Sequence, residues 1–308
     1  MDDTQILAPV IKANLLDSFL DKLGFILTGD HCNRNCLHCP AYGDKEPMQN
    51  IPFSKLEEIV KEIAEAYEKA GKEPNRTIAS WRINDPLDYY SLEQTKKTTY
   101  DVAKLWRTHF KQGLYIVTNG AEGRRTAIET LINLVKEPDL VSQIKLTITP
   151  CDIAWGTEKY LKDILKDIEI MSKLWNFNSE RKEDLGGLKF RINVKTTKET
   201  EQIAKNFIKK ILSEIGYGEM EIIELVRNKN KISFKPIYDL GAYKKDKSPL
   251  KEALSIRDIA NKRFKPTEEQ RSRYQYAIFP NGLLKLVDMY AFSVLPVLDN
   301  NGFELKLF

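Results

Sequence analysis

Three of the four cysteines in this chain fall within one short stretch, Cys32, Cys36 and Cys39, spaced C-x-x-x-C-x-x-C. Thiolates are soft ligands suited to iron–sulfur clusters and to zinc. Three from one loop hold three irons of a cubane and leave the fourth iron open to another ligand. A ferredoxin-type site would need a fourth cysteine close by, and the remaining one, Cys151, lies more than a hundred residues away. Zinc is the alternative: the three cysteines with His31 or His38 compose a Cys₃His set. Four ligands so close in sequence would be cramped, and zinc sites usually draw on two separated pairs. The spacing favours the cluster and leaves zinc open. Crowding of this kind also argues against a disulfide framework, where cysteines are more numerous and more widely spread.

A second group of candidates is polar and periodic. Lys145, Thr147 and Thr149 share one face of a predicted strand, and Arg191, Asn193 and Lys195 share one face of the next. Phe190, Ile192 and Val194 turn the other way. Polar side chains along one face of a central strand need partners. A ligand-filled interior supplies them; a solvated face or a salt-bridge network would do so too.

These residues are positioned by strand-like and helix-like stretches that alternate along the first three quarters of the chain. The strands are predicted at 24–28, 76–83, 114–118, 143–149, 189–196 and 219–226. The helices between them are predicted at 52–70, 92–111, 124–135, 157–175 and 199–215. Pro52 suits the first turn of its helix, and Ile59, Ile63, Ala66 and Ala70 line one face. Asn119-Gly120 reads as a turn. Such alternation implies a parallel sheet with right-handed crossovers. Six units fit an open or partial barrel, and a doubly wound sheet fits as well. In either, ligands gather at the C-terminal ends of the strands, where the cysteine loop begins.

The alternation stops near Arg227, so the chain is divided into a core over 1–227 and a C-terminal extension over 228–308. The extension ends in a predicted hairpin, Tyr276–Phe279 and Leu283–Asp288, turning at Pro280-Asn281-Gly282. Charge is uneven. Arg227 to Tyr276 holds 14 Lys/Arg against 6 Asp/Glu, a net +8, leaving −4 on the rest of a chain whose total is +4. Phe234, Tyr238, Tyr243, Phe264 and Tyr274 are interspersed there. Basic side chains with interleaved aromatics suit single-stranded nucleic acid, an acidic peptide, or an ordinary solvated surface. No apolar run approaches the roughly 18 residues that cross a bilayer, and the acidic N-terminus lacks a basic signal-peptide region. A cytoplasmic location, away from membranes, is expected.

The stretch FILTGDHCNRNCLHCPAY resembles the signature loop of the radical S-adenosylmethionine (SAM) superfamily, a strand followed by C-x-x-x-C-x-aromatic-C. The resemblance implies a partial (β/α)6 TIM-like barrel, with a 4Fe–4S cluster on Cys32, Cys36 and Cys39 and SAM chelated to the open iron. One electron from a flavodoxin- or ferredoxin-like donor then cleaves SAM to a 5′-deoxyadenosyl radical that abstracts hydrogen from a substrate. His38 occupies the aromatic position beside the adenine. Ile83-Asn84-Asp85-Pro86 stands where the family carries a Gly-Gly-Glu-like stretch. That places Asn84 and Asp85 near the SAM amino group, although the glycines are absent and the acid is shorter; a turn-capping Asp is the plainer reading. Thr147, Asn193 and Arg191 correspond to polar strand positions that meet the ribose and carboxylate. Cys151, directly after the fourth strand, is a candidate thiol donor to a substrate radical, or a small buried apolar residue.

The hairpin YAIFPNGLLKL is similar to those of peptide-modifying and molybdopterin-type members, but no cysteine follows it. The resulting expectation is a radical SAM enzyme acting on a peptide or protein. RNA modification is the alternative within the class. A non-catalytic, metal- or cluster-containing nucleic-acid-binding module is the alternative outside it.

Overall fold

The computed structural model describes residues 6–29, 32, 49–74, 78–80, 84–93, 95–121, 124–148, 162–171, 190–196, 201–228, 232–236, 274–288 and 294–308. The chain divides into two compact units. The first comprises Met1–Asn33, Lys45–Tyr115 and Ile256–Phe308; the second comprises Arg34–Asp44 and Ile116–Ser255. Among the described residues no helix is long and apolar enough to cross a membrane.

The first unit opens with two short helices, α1 (Ala8–Lys12) and α2 (Leu16–Lys22), that lead directly into β1 (Leu23–Ile26). Then come α3 (Phe53–Lys69), a two-stranded antiparallel ribbon of β2 (Tyr90–Leu92) and β3 (Lys96–Thr98), and α4 (Thr99–His109). α3 buries Leu56, Ile59, Val60, Ile63 and Tyr67. Its stripe thus runs to Tyr67, whose hydroxyl donates to the Leu20 carbonyl at 2.6 Å, rather than to Ala66 and Ala70. The helix expected from residue 92 begins only at Thr99. Thr98 caps it by accepting from the Tyr100 N–H, while Asp101 reaches back to the Thr98 N–H at 2.9 Å. That reciprocal cap halts the helix, and the residues before it pair as the ribbon.

The sheet of this unit has the order β1-β8-β9-β10, with β8 at Tyr274–Ile278, β9 at Leu284–Asp288 and β10 at Val294–Pro296. β8 and β9 form the expected hairpin, Ile278 opposite Leu284, and β8 adds parallel to β1. The C-terminal hairpin is therefore part of the sheet that carries the first strand. Gly24 makes this possible. The ladder skips a register there, and a Cβ on Gly24 would lie 1.9 Å from the buried Gln275 amide oxygen, so a larger residue would require the Gln275 side chain to shift. On its other side β1 bonds to residues 78–80, with Ile26 N–H to Ala79 O and Ala79 N–H to Gly24 O, both 2.9 Å. Phe25, Leu27, Ala79, Ala277, Phe279 and Val287 form the apolar face of this sheet.

The second unit is built on the sheet β4-β5-β6-β7. Its strands are β4 (Leu114–Thr118), β5 (Val141–Ile148), β6 (Phe190–Thr196) and β7 (Ile232–Pro236). α5 (Arg125–Lys136) follows β4, α6 (residues 162–171) precedes β6, and α7 (Glu201–Glu214) and α8 (Glu219–Arg227) lie between β6 and β7. The β5–β6 and β6–β7 ladders are parallel, as the alternation implied.

Residues 219–226 correct the sequence reading: they are helix α8, and the next strand is β7. EMEIIELV satisfies both periods, but Ile222 and Leu225 are the residues buried, three apart on one helical face. Glu221 fixes the start by accepting the Gly218 N–H at 2.8 Å. Glu224 to Arg227 accordingly close a helix and not a strand. β7 pairs with β6 through residues beyond 227.

Candidate functional site

In the first unit the polar groups collect where β1 ends. Thr28 is 1% exposed. Its N–H and Oγ1 both donate to Ser80 O, at 3.2 and 3.3 Å, and Asn84 Nδ2 donates to Thr28 Oγ1 at 3.4 Å. The Ile51 N–H donates to Thr28 O at 3.0 Å, and Gly29 pairs with Asn50 in an antiparallel bridge. The loop that carries the cysteines is thus pinned where it leaves β1 and where it returns. Cys32, three residues past Gly29, is half-buried. Cys36, Cys39 and His38 lie outside the described residues.

The returning arm is held in turn. Tyr89, almost fully buried, donates to Ile51 O at 3.0 Å, and burial pushes its phenol well above the usual range. Asn50 Nδ2 donates to Tyr90 O at 2.9 Å. The β2 ribbon also serves the open N-terminus of α3. Ser91 Oγ accepts the Phe53 N–H at 3.2 Å, and the Glu93 carboxylate accepts the Ser54 N–H at 3.0 Å and the Ser54 hydroxyl. A carboxylate at a helix N-terminus satisfies orphan N–H groups and meets the positive end of the dipole. The bonds from Ser54 hold the Glu93 carboxyl below its ordinary value.

Asp85 is buried, and its Oδ1 accepts the Leu87 N–H at 3.0 Å, capping the short 3-10 turn Pro86–Asp88. The turn-capping reading is what the geometry displays. Asn84, beside it, is the member of the pair that reaches β1.

In the second unit the parallel ladders set the predicted residues side by side. Lys145 stands opposite Arg191, and Thr147 opposite Asn193. Asn193 is also opposite Ser233 of β7, and Lys195 opposite Lys235. Ile144, Leu146, Ile148, Ile192 and Val194 are buried, whereas Lys145, Thr147, Arg191 and Lys195 are half-buried. Asn193 is the exception on the polar face. It is 7% exposed, and its Oδ1 has no hydrogen-bond partner among the described residues. A buried amide oxygen without a donor costs about 1–3 kcal/mol. Ser233 was not among the sequence candidates, because β7 itself was not recognised.

One further feature escaped the sequence. The loop after β4 is shaped by Asp167 of α6, which is 1% exposed. Its Oδ2 accepts the Ala121 N–H at 2.9 Å, while Thr118 Oγ1 accepts the Gly120 N–H at 2.9 Å. Arg124 donates back to Gly120 O and Ala121 O, at 2.8 and 3.0 Å. Gly120 has φ +99°, and a Cβ there would sit 2.1 Å from Asp167 Oδ2. The Asn119-Gly120 signal marked the turn, but nothing local marks a partner nearly fifty residues on. Thr149, Cys151 and most of the basic stretch between 227 and 276 lie outside the described residues.

No protein-family model matches the chain. No curated protein matches it either. Among solved structures it is similar to Streptococcus suis SuiB bound to S-adenosylmethionine, at 13% identity and a TM-score of 0.45, covering 90% of this chain and 62% of that one. It is also similar to SuiB bound to its precursor peptide SuiA, at 13% identity and a TM-score of 0.35, covering 91% and 62%. The chain thus spans 62% of the length of the protein it matches. At this level the likeness assigns neither a ligand nor an activity to the chain.

Proposed function

We propose that this chain is a radical SAM enzyme with a partial (β/α)6 barrel core, acting on a peptide or protein. The observation that carries the reading is the C-x-x-x-C-x-x-C loop set directly after β1, with both of its arms tied to Thr28 and Gly29. Cys32, Cys36 and Cys39 would hold a 4Fe–4S cluster. When bound, that cluster supplies the electron that cleaves SAM to methionine and a 5′-deoxyadenosyl radical.

The residues present fit the cofactor. Asn193 Oδ1 is a buried acceptor in need of a donor, and SAM carries donors on its amino group and ribose. Thr147 stands in register beside it, and Arg191 is proposed for the SAM carboxylate. Asn84 and Asp85 are proposed for the amino group and His38 for the adenine. Thr28, Ser80 and Asn50 orient the loop. Cys151 is proposed as a thiol donor, and the extension over 228–308 as contributing a segment that contacts the substrate or covers the barrel. A flavodoxin- or ferredoxin-like protein is the proposed reductant and the cytoplasm the proposed compartment.

Anaerobic reconstitution with iron and sulfide, then reduction in the presence of SAM, tests the reading directly. Formation of 5′-deoxyadenosine is the expected result. A stable zinc complex that does not cleave SAM would instead establish the binding-module reading.

A further inference from the structure

One face of α3 is buried in the first unit, and another borders a groove of about 640 Å³ whose far wall is α1 and α2. The two walls are fixed to each other. Glu62 of α3 accepts the Ile6 N–H at 2.8 Å and the Leu7 N–H at 2.7 Å. Ile11, Leu16, Ala66 and Ala70 make the groove apolar, and Ile11 is 47% exposed. Along the α3 side stand Glu58, Lys61, Glu65 and Lys69, so their signs alternate: minus, plus, minus, plus. Glu58 pairs with Lys55 at 2.8 Å and Glu65 with Lys69 at 4.0 Å, within the helix. These pairs are largely exposed to solvent. They contribute little to stability, and their charges stay accessible to a partner.

At about 1.5 Å per residue the four charges lie at about 0, 4.5, 10.5 and 16.5 Å along the helix axis. A second α3 running antiparallel presents the series reversed. Each charge then lies within about 1.5 Å, along the axis, of one of opposite sign. Glu58 meets the partner's Lys69 and Lys61 meets the partner's Glu65, each contact occurring twice about a two-fold axis. A parallel copy would set like charges together. With two acids and two bases, the stripe selects neither a polyanion nor a polycation.

We propose that this groove and its charged edge form the interface of a homodimer, in which two α3 helices pack antiparallel and cover Ile11. The occupant is a second copy of this chain, and the inference is independent of the cofactor reading.

Sedimentation equilibrium of the full chain across micromolar concentrations tests it. A reversible dimer is expected, weakening as salt rises. Lys61→Glu places two like-charge contacts across the interface and should weaken the dimer by roughly tenfold or more. Glu65→Lys should do the same. An equimolar mixture of these two single variants has opposite charges at all four contacts and should dimerise as tightly as the wild type. The Lys61→Glu/Glu65→Lys double variant should as well. Lys209→Glu, on the exposed side of α7, should change nothing. Circular dichroism melts confirm folding, and Ile11→Ser, which should weaken the dimer without altering charge, serves if a charge variant unfolds. A wild type that stays monomeric, single variants that dimerise like the wild type, or a mixture that stays monomeric would each overturn the proposal.

Discussion

Replacing Asn193 by Leu separates stability from ligand binding in opposite directions. The two side chains are close in volume, so the substitution removes polarity without opening a large cavity. Asn193 is 7% exposed and its Oδ1 lacks a partner among the described residues. An unsatisfied buried acceptor costs about 1–3 kcal/mol, and exchanging it for an apolar group of similar shape relieves that cost. The ligand-free protein should therefore gain about 1–2 kcal/mol. For a chain of this size that raises the melting temperature by about 2 °C per kcal/mol. The same substitution removes the acceptor proposed for SAM, so affinity should fall by about 1–3 kcal/mol, or roughly 5- to 150-fold. Thermal melts of the ligand-free protein and equilibrium dialysis with SAM on reconstituted protein read the two effects. A gain in stability bought with lost binding marks a functional position. A lower melting temperature with unchanged SAM affinity would show Asn193 to be an ordinary structural amide and refute the argument.

Three further outcomes are expected. Cys32→Ala, Cys36→Ala and Cys39→Ala should each abolish SAM cleavage, while Cys151→Ala should retain its iron; iron analysis and 5′-deoxyadenosine formation decide this, and loss of iron with Cys151 would relocate the site. Gly120→Ala forces a Cβ against Asp167 at a positive φ and displaces the acceptor of the Ala121 N–H. It should cost about 2–5 kcal/mol in urea unfolding, and Gly120→Ala/Asp167→Ala should cost less than the two singles added. Glu93 has a folded pKa held below its ordinary value of about 4.5. Its contribution is fully present above that value and fades as pH falls through the lower, folded one. Melting temperatures between pH 6 and pH 3 should therefore drop less steeply for Glu93→Gln than for the wild type, and parallel curves would remove Glu93 from the cap of α3.

Local pattern determined much of this protein. The strands at 114–118, 141–148 and 190–196 and the helices at 53–69, 125–136 and 201–214 were legible because alternation and 3.6-residue periodicity write burial directly into residue order. The hairpin was legible from Asn281-Gly282 and its flanks, and the polar faces that carry Thr147 and Asn193 were legible from the two-residue period, while the register that pairs them came from the structure. Residues 219–226 defeated the same method. Their apolar positions satisfy both periods, and only packing, with Ile222 and Leu225 inward and Glu221 on the Gly218 N–H, selects the helix. That Asp85 caps a turn was one of two readings of the sequence, and the bond from the Leu87 N–H to its carboxylate comes from the tertiary structure. What tertiary structure alone decided is long-range. Gly24 lies against Gln275 and Gly120 against Asp167, and the N–H groups of Phe53 and Ser54 find their acceptors on Ser91 and Glu93. Each is a contact between segments far apart in the chain, and no local period encodes which distant side chain will fill the space beside a given backbone. Asn193 Oδ1 belongs with them: the residue's type was visible in the sequence, but its burial without a donor among the described residues depends on how three strands pack together.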